Sequence, residues 1–490
     1  MGLVALGWLL LSPTAHATVP DMFGQGARWQ ARGGGSVALV DDGTAAFVNP
    51  AGLVASPRSQ LSVGVAGARP SVAPVPDVAW DTNRDGVVDE RDPPLSVDPT
   101  PPPVFGLDLS VVGRLGDRAA LGASVWLPTS ALVRLHAFEP DLPYYLRWGN
   151  RTQRVNASVG LGIDTVGGLA VGLGADIGVA ARATVRLTLD ASAAPGGTPT
   201  TTSTTGGPNL DGELVFDVQQ IDLEVVPTVA PVIGLQWHLG ELVDALDGAV
   251  IGGRYHGSTG MPLDVVIDAQ ANVALEDPST DVPFVAALLG VAELSLLDHA
   301  VPQRLDLGLG YVRNDVLAIH VDARWTDWRS LRPNIAQVVD ARVEAPLIDL
   351  GDIVSDGNVV AYEVRSTWGV RGGAELRLPA VEVSGRFREV QAVVRAGGSF
   401  DPTPLVDGGD TAMLDSHHTV GTTGLGLHTG QPFDDDGTLG LDLALQLHSL
   451  ARGELPRASE PLRAGSPIGA ESLPYGGRWV ALGAQLTVGY

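Results

Sequence analysis

The sequence predicts an all-β protein, a transmembrane antiparallel β-barrel of about 14 strands with an N-terminal hatch that plugs its lumen. Three observations support this fold. Apolar residues alternate with other residues along many segments of about ten residues, the length of a tilted strand in a bilayer. Short and long connections alternate along the chain. The chain is 44% hydrophobic and only 18% charged, yet the mature part has no apolar run long enough for a transmembrane helix.

The charge and the missing cysteines exclude several classes of protein. The net charge of −25 over 490 residues argues against a nucleic acid partner, because such partners require basic surfaces. The chain has no cysteine, which excludes disulfides, thiolate metal sites and cysteine nucleophiles.

Residues 1–17 have the features of a secretory signal peptide. An apolar stretch runs from Leu3 to Leu11, and Ala15-His16-Ala17 matches a small-residue cleavage pattern. The basic residue usual at the start is missing. The apolar stretch is too short to span a bilayer, so we expect export.

The C-terminal segment shows the strand pattern most clearly. Apolar residues occupy every second position there: Val480, Leu482, Ala484, Leu486, Val488 and Tyr490. This alternation is typical of a strand with one face in lipid and the other in a lumen. The alternative is an edge strand of a soluble sandwich, whose polar face would meet water.

The same pattern gives an even number of strands. Short turns alternate with long connections, which are expected to be periplasmic turns and external loops, respectively. The pattern therefore predicts a chain that crosses the outer membrane of a Gram-negative bacterium many times. The predicted strands are residues 59–67, 104–114, 119–128, 152–164, 168–189, 226–238, 248–272, 303–313, 316–328, 360–378, 386–400, 417–429, 438–450 and 477–490.

Residues 18–57 do not have a strand pattern and are interpreted as the hatch, ahead of a barrel over 58–490. The segment is rich in glycine and small residues and contains Asp41-Asp42 and, further on, Asn49-Pro50-Ala51-Gly52-Leu53. The glycines do not form a phosphate-binding loop, since no G-x-x-x-x-G-K-[ST] pattern is present. About forty residues are enough to fill a barrel of this size.

This segment resembles the hatch of the FadL family of outer-membrane transporters for long-chain fatty acids and other hydrophobic compounds. Its most specific mark is the pattern from Asp41 to Leu53. Weaker matches follow in the same order, among them residues 251–258, 322–328 and 396–404. The resemblance implies a hatch or gate at Phe47, Asn49, Pro50 and Ala51, and a ligand contact at Phe23.

The resemblance also implies that ligands leave sideways through the wall at the third strand. That strand contains Gly122 and ends at Pro128; glycine weakens a strand ladder, and proline lacks one donor. A lateral opening between these residues is therefore predicted. The alternative is that Pro128 only ends the strand at its outer rim.

The first external loop, residues 71–103, contains a twelve-residue pattern typical of a calcium loop. Oxygen donors occupy positions 1, 3, 5, 9 and 12, a glycine occupies position 6, and a backbone carbonyl is available at position 7. The ligands are Asp81, Asn83, Asp85, Val87 through its carbonyl, Asp89 and Asp92. We expect one structural calcium ion; the alternative is a solvated acidic turn.

An apolar run from Phe284 to Leu297 lies in the loop after the seventh predicted strand. As a helix it would expose Phe284 and Leu288 as a first capture surface for a hydrophobic ligand. The alternative is a local core beneath that loop.

The pattern of histidines and serines does not suggest an enzyme. His417 and His418 are adjacent rather than four residues apart, and no G-x-S-x-G pattern occurs. We expect a monomer that passes long-chain fatty acids or other hydrophobic small molecules through the hatch-gated barrel by passive diffusion. Its partners would be that ligand and outer-membrane lipid, with no nucleic acid. The alternative function is a non-transporting outer-membrane scaffold or secretion accessory.

Overall fold

A computed structural model describes most of the chain. The described residues are 26–78, 91, 93–101, 103–129, 143–145, 155–192, 214–276, 283–330, 337–344, 364–383, 389–406, 413–430, 437–456 and 472–490. Within these ranges no helix has the length and hydrophobicity needed to cross a membrane.

Fourteen antiparallel strands form a closed barrel. Each strand pairs with its neighbours along the chain, and the last pairs with the first. The predicted number of strands is thus confirmed. The strands are β1 Gln60–Val72, β2 Val104–Arg114, β3 Ala119–Pro128, β4 Asn156–Asp164, β5 Leu169–Ser192, β6 Leu214–His238, β7 Ala249–His256, β8 Arg304–Arg313, β9 Leu317–Thr326, β10 Thr367–Arg377, β11 Glu389–Asp401, β12 His418–Gly430, β13 Thr438–Pro456 and β14 Ser472–Gly489.

The two faces of each strand differ as the alternation predicts. Along β13, Leu441, Leu443 and Leu447 point outward and are exposed, whereas Asp442 and Gln446 point inward and are buried. A soluble protein would bury the leucines, because their exposure to water is unfavourable. The barrel therefore has an apolar outside and a partly polar lumen.

Long and short connections lie at opposite ends of the barrel. Residues 115–118, 165–168 and 314–316 make three of the short turns. We call the end with these turns the inner end and the end with the long connections the outer end.

The outer end carries a further sheet that the sequence pattern missed. The strand Thr259–Glu276 pairs in parallel with the outer part of β5 and antiparallel with Pro283–Val301, which in turn pairs with Gln337–Glu344. The predicted strand 248–272 is therefore two strands, with a break at Gly257-Ser258. The apolar run from Phe284 to Leu297 is not the helix that the sequence analysis considered, because its backbone is extended.

The remaining elements are short. They are the strand pairs Val75–Val78 with Leu95–Val97 and Tyr144–Tyr145 with Met413–Leu414, the strand Val381–Glu382, and the 3-10 helices Leu239–Glu241, Asp244–Leu246 and Trp328–Ser330. Tyr144–Tyr145 and Met413–Leu414 come from two different outer connections and pair in parallel.

Candidate functional site

The segment before β1 lies inside the barrel and spans its lumen. It contains the helices α1 Ala27–Gln30 and α2 Ala45–Val48 and the 3-10 helix Pro50–Leu53. Helix α1 contacts β12, β13 and β14, whereas the 3-10 helix contacts β3 to β6 on another part of the wall. The structure thus places a hatch across the lumen, described from Gly26 onward.

Asn49 attaches the hatch to β6. Its Nδ2 donates to the carbonyl oxygens of Val37, at 2.6 Å, and Leu235, at 3.0 Å. Its Oδ1 accepts from the backbone N–H of Ala51, at 3.2 Å, and so caps the 3-10 helix. The Asn49 side chain is fully buried, so all three bonds form away from water, where they contribute most.

Pro50 and Ala51 pack directly on lumen-facing glycines of the barrel. A methyl group placed on Gly162 of β4 would lie 2.7 Å from the carbonyl oxygen of Pro50, and one on Gly172 of β5 would overlap Ala51. Only glycine allows the hatch backbone to approach the wall this closely.

Ion pairs attach the hatch to another part of the wall. Glu375 of β10 accepts from Arg28 Nε of α1 at 3.2 Å and from Arg395 Nε of β11 at 2.8 Å. Arg32 Nη1 lies 3.7 Å from the same carboxylate, and Arg395 also donates to Asp442 of β13 at 2.6 Å. The hatch is therefore bound directly to β10 and, through the shared carboxylates, is linked to β11 and β13.

These contacts change the pKa values of the hatch arginines in opposite directions. Burial alone would lower the pKa of Arg28, but the carboxylates of Asp41, Glu375 and Asp42 outweigh burial and hold it well above its ordinary value. Burial lowers the pKa of Arg32 to about 10, because Glu375 compensates only in part. Both arginines remain cationic at neutral pH, so the ion pairs of Arg28 and Arg32 with Glu375 persist.

The lumen on the inner side of the hatch contains a cavity of about 430 Å³ with charged side chains in its wall. Its lining includes Arg28, Arg377, His428, Asp442 and Gln485, from the hatch and from strand ends at the inner end. A hydrocarbon gains nothing from such a lining, because the buried charges would lose hydration without new partners.

The lumen on the outer side of the hatch is apolar along β1 to β3, β13 and β14. We call the following buried residues the outer apolar cluster: Ala66, Ala68, Val72, Val75, Val78, Val104, Trp126, Tyr145, Leu414, Leu450, Leu473, Trp479 and Ala481. The Tyr145 hydroxyl accepts from the N–H of Gly476 in β14 at 2.8 Å, and burial raises the pKa of Tyr145 to about 12. Tyr145 and Leu414 thus fill the lumen from the outer connections.

Both ends of the predicted lateral opening face the lumen on β3. Gly122 lies at the level of the hatch, where the side chain of Leu53 covers it, and Pro128 lies at the outer end opposite Gly106. The ladders of β3 with β2 and β4 run without a register shift. The wall is closed at Gly122 in this conformation, and the opening stays a prediction.

The structure brings together some of the predicted site residues. Phe47, Asn49, Pro50, Ala51 and Gly122 meet where the hatch contacts β3 to β7. Phe284 and Leu288 lie in the outer sheet, opposite Leu275 and Ala271. Outside the described residues lie Phe23 and the predicted calcium ligands Asp81, Asn83, Asp85, Val87, Asp89 and Asp92.

Sequence reasoning missed several lumen residues. Trp126, Arg254, Glu375 and Asp108 all point inward and are buried. Each occupies a lumen-facing position of its strand, between residues of the lipid face. An inward-facing charge or indole in an alternating strand is the signal that would have found them.

Together these features define a plugged outer-membrane β-barrel. No family model matches the sequence, and no curated protein is significantly similar to it. Solved structures of transport proteins are similar in fold. A FadL homologue of Pseudomonas aeruginosa matches with 17% identity and a TM-score of 0.55, over 97% of this chain and 99% of that one. The toluene transporter TodX of P. putida matches with 15% identity and a TM-score of 0.48, over 96% and 99%.

The chain therefore has the fold of the FadL-type outer-membrane transport proteins, as the hatch pattern predicts. The fold shared with the FadL homologue agrees with the prediction that this chain is not an enzyme.

Proposed function

We propose that the chain passes hydrophobic small molecules across the outer membrane of a Gram-negative bacterium by passive diffusion. The observation that carries the proposal is the outer apolar cluster, which lies in the lumen between the outer connections and the hatch. Burying a hydrocarbon there is favourable by about 0.8 kcal/mol for each methylene removed from water. The fold shared with transport proteins supports this function.

Long-chain fatty acids are the ligand class we favour over aromatic hydrocarbons. Arg254 of β7 points into the lumen, 2% exposed, with its guanidinium 5.1 Å above the ring of Phe47. Nη1 lies 3.6 Å from Asp306, while Nε and Nη2 have no hydrogen-bond partner in the described part of the chain. Two such N–H groups suit a carboxylate, and the apolar hatch surface around Phe47 continues toward β2 and β3.

A lateral exit near Gly122 fits the distribution of polarity in the lumen. The inner cavity is charged, so a hydrocarbon that continued past the hatch would enter a polar space and then water. Release into the bilayer through β3 avoids that cost. The side chain of Leu53 covers Gly122, so we expect the hatch to move there before a ligand leaves.

The test is ligand binding and uptake by the purified protein in bilayer nanodiscs and proteoliposomes. Trp126→Ala should weaken binding of a long-chain fatty acid several-fold, because it removes a buried indole from the outer apolar cluster. The matched control is Trp368→Ala, since Trp368 is 56% exposed on the lipid face of β10. Arg254→Met should weaken binding of the fatty acid but not of its methyl ester.

The outcome decides between transport and the alternative function. If neither fatty acids nor hydrocarbons bind to or cross the wild-type barrel, a scaffold or secretion accessory is the better assignment. The filling of the outer lumen by Tyr145 and Leu414 is the observation that favours that alternative.

We also propose that residues 81–92 bind one structural calcium ion in the first external loop. The proposal rests on the spacing of its oxygen donors. Calorimetry with millimolar calcium should show binding to the wild type that Asp85→Ala abolishes. Equal heats for the two proteins would refute it.

Export, assembly and first capture complete the proposal. We expect the mature protein to begin after Ala17, to be a monomer, and to contact ligand through Phe23, Phe284 and Leu288. N-terminal sequencing of protein from outer membranes checks the cleavage, and native mass spectrometry checks the oligomeric state.

A further inference from the structure

Asp108 of β2 is a buried carboxylate that the proposed transport path does not use. Its side chain is 3% exposed, and neither carboxylate oxygen has a hydrogen-bond partner among the residues that the structure describes. It makes no ion pair with any other described residue. A carboxylate in such a position is costly unless a positively charged or donating group joins it.

The Asp108 carboxylate points into the lumen. It lies directly over Gly64 of β1, where a methyl group would be 2.6 Å from Asp108 Oδ1. Gly64 belongs to the buried, lumen-facing set of β1 together with Ser62 and Ala66. The carboxylate therefore faces the interior of the barrel and not the lipid.

Asp108 lies at the inner edge of the outer apolar cluster. Its partner across the ladder with β3 is Trp126, whose indole lies 2.5 Å from a methyl position on Gly106, two residues further out on the same face of β2. A ligand whose apolar part contacts Trp126 would therefore place its polar end near Asp108.

The groups on the inner side of Asp108, toward the hatch, are neutral or negative. Ser110 of β2 has a buried hydroxyl with no hydrogen-bond partner in the described ranges, and Gly43 of the hatch packs against it, with a methyl position 3.0 Å from Ser110 Cβ. Asp42 is the hatch carboxylate whose charge acts on Asp108, and it already accepts from Trp29 Nε1 at 2.7 Å. The surroundings of Asp108 thus favour a cation over an anion.

We propose that Asp108 binds the protonated amine of hydrophobic amines, with the hydrocarbon part of the ligand in the outer apolar cluster. This is a second ligand class beside fatty acids, whose carboxylate would bind at Arg254 on another part of the wall. The inference rests on the proposed function, because both classes use the same apolar cluster. Asp108 is then a specificity-determining residue rather than part of the transport path common to all ligands.

The test compares three ligands with one chain length: octylamine, octanol and octanoate. Binding is measured in nanodiscs at neutral pH, where the amine is protonated. Asp108→Asn keeps the shape of the side chain but removes its charge. It should weaken octylamine binding by about tenfold to a hundredfold, the range of one charge-assisted hydrogen bond, and leave octanol and octanoate within about twofold of the wild type.

Two further variants separate this inference from the proposed function. Asp108→Glu retains a carboxylate and should retain most of the preference for octylamine, which a merely structural role would not predict. Trp126→Ala should weaken all three ligands. The heat-dependent mobility of the folded barrel in electrophoresis verifies that each variant folds.

The outcomes are distinct. If octylamine does not bind to the wild type while octanoate does, or if Asp108→Asn changes all three ligands equally or none, the amine site is refuted and transport stands. If no ligand binds to the wild type, both proposals fail together.

Discussion

Asn49→Ala should loosen the hatch without unfolding the barrel. The amide of Asn49 makes three hydrogen bonds, to Val37 and Ala51 within the hatch and to Leu235 in β6. Alanine removes all three and leaves the carbonyls of Val37 and Leu235 without this donor. The barrel ladders do not involve the Asn49 side chain, so we expect the effect to stay within the hatch.

The size of the effect follows from these bonds. A hydrogen bond contributes about 0.5–1.5 kcal/mol net, and more where its buried partner is left unsatisfied. Three bonds in a fully buried site therefore correspond to about 3 kcal/mol of local opening free energy. That lowers the protection of hatch amides by about 150-fold.

Hydrogen–deuterium exchange with mass spectrometry measures this directly, because it reports local opening separately for peptides from the hatch and from the barrel. Asn49→Asp is an informative companion, since it keeps the oxygen that caps Ala51 but loses both donors. Asn156→Ala makes the same change in a barrel strand and should leave the hatch unchanged. If the hatch peptide of Asn49→Ala exchanged within about twofold of the wild type, Asn49 would not be the residue that attaches the hatch to β6. Equal acceleration in the barrel peptides would refute the assignment as well.

Three more changes probe other parts of the lumen. Tyr144→Cys with Met413→Cys places two cysteines at paired positions in a chain that has none. The disulfide-bonded form should block ligand uptake, and a reductant should restore it. Equal uptake in both states would show that this strand pair is not on the ligand path. Gly33 has φ +83° and would place a methyl group 2.6 Å from the backbone oxygen of Gly372, so Gly33→Ala should cost about 1–3 kcal/mol of hatch stability; unchanged exchange of the hatch peptide contradicts this. Glu375→Gln removes the carboxylate shared by arginines of α1 and β11 and should cost about 3–5 kcal/mol, which a normal thermal transition would disprove.

The strand count was predictable because lipid and lumen select opposite residue types on the two faces of every strand. Leu441, Leu443 and Leu447 of β13 face outward while the residues between them face inward, and the period of two survives in the sequence. The outer sheet contains a strand without this alternation. Pro283–Val301 is nearly continuously apolar at its start, and a run of this kind does not distinguish a helix from a strand.

The ion pairs of the candidate site could not be predicted in the same way. Arg28 and Glu375 are 347 residues apart, and their contact exists only because the barrel closes and the hatch adopts one orientation within it. Alternation predicts that Glu375 faces the lumen, but the closure of the barrel and the fold of the hatch decide which charge it meets. The sequence therefore predicts which residues face the lumen, but not which of them form ion pairs with one another.

One feature of the sequence does indicate where the hatch contacts the wall, namely the lumen-facing glycines. Within β12, Gly424 faces the hatch, and a methyl group there would overlap Ala31. Gly421, three residues earlier on the lipid face, has no atom of a described residue within 4 Å of its methyl position. The same holds on the other side of the lumen, where Gly160 and Gly162 face Pro50. Because a strand interior gains nothing from glycine by itself, these lumen-facing glycines are explained by the close approach of the hatch, whereas Gly64 and Gly106 lie against the side chains of Asp108 and Trp126. Once alternation has assigned the faces, the lumen-facing glycines that contact the hatch trace its course along the wall, and others mark large side chains of neighbouring strands.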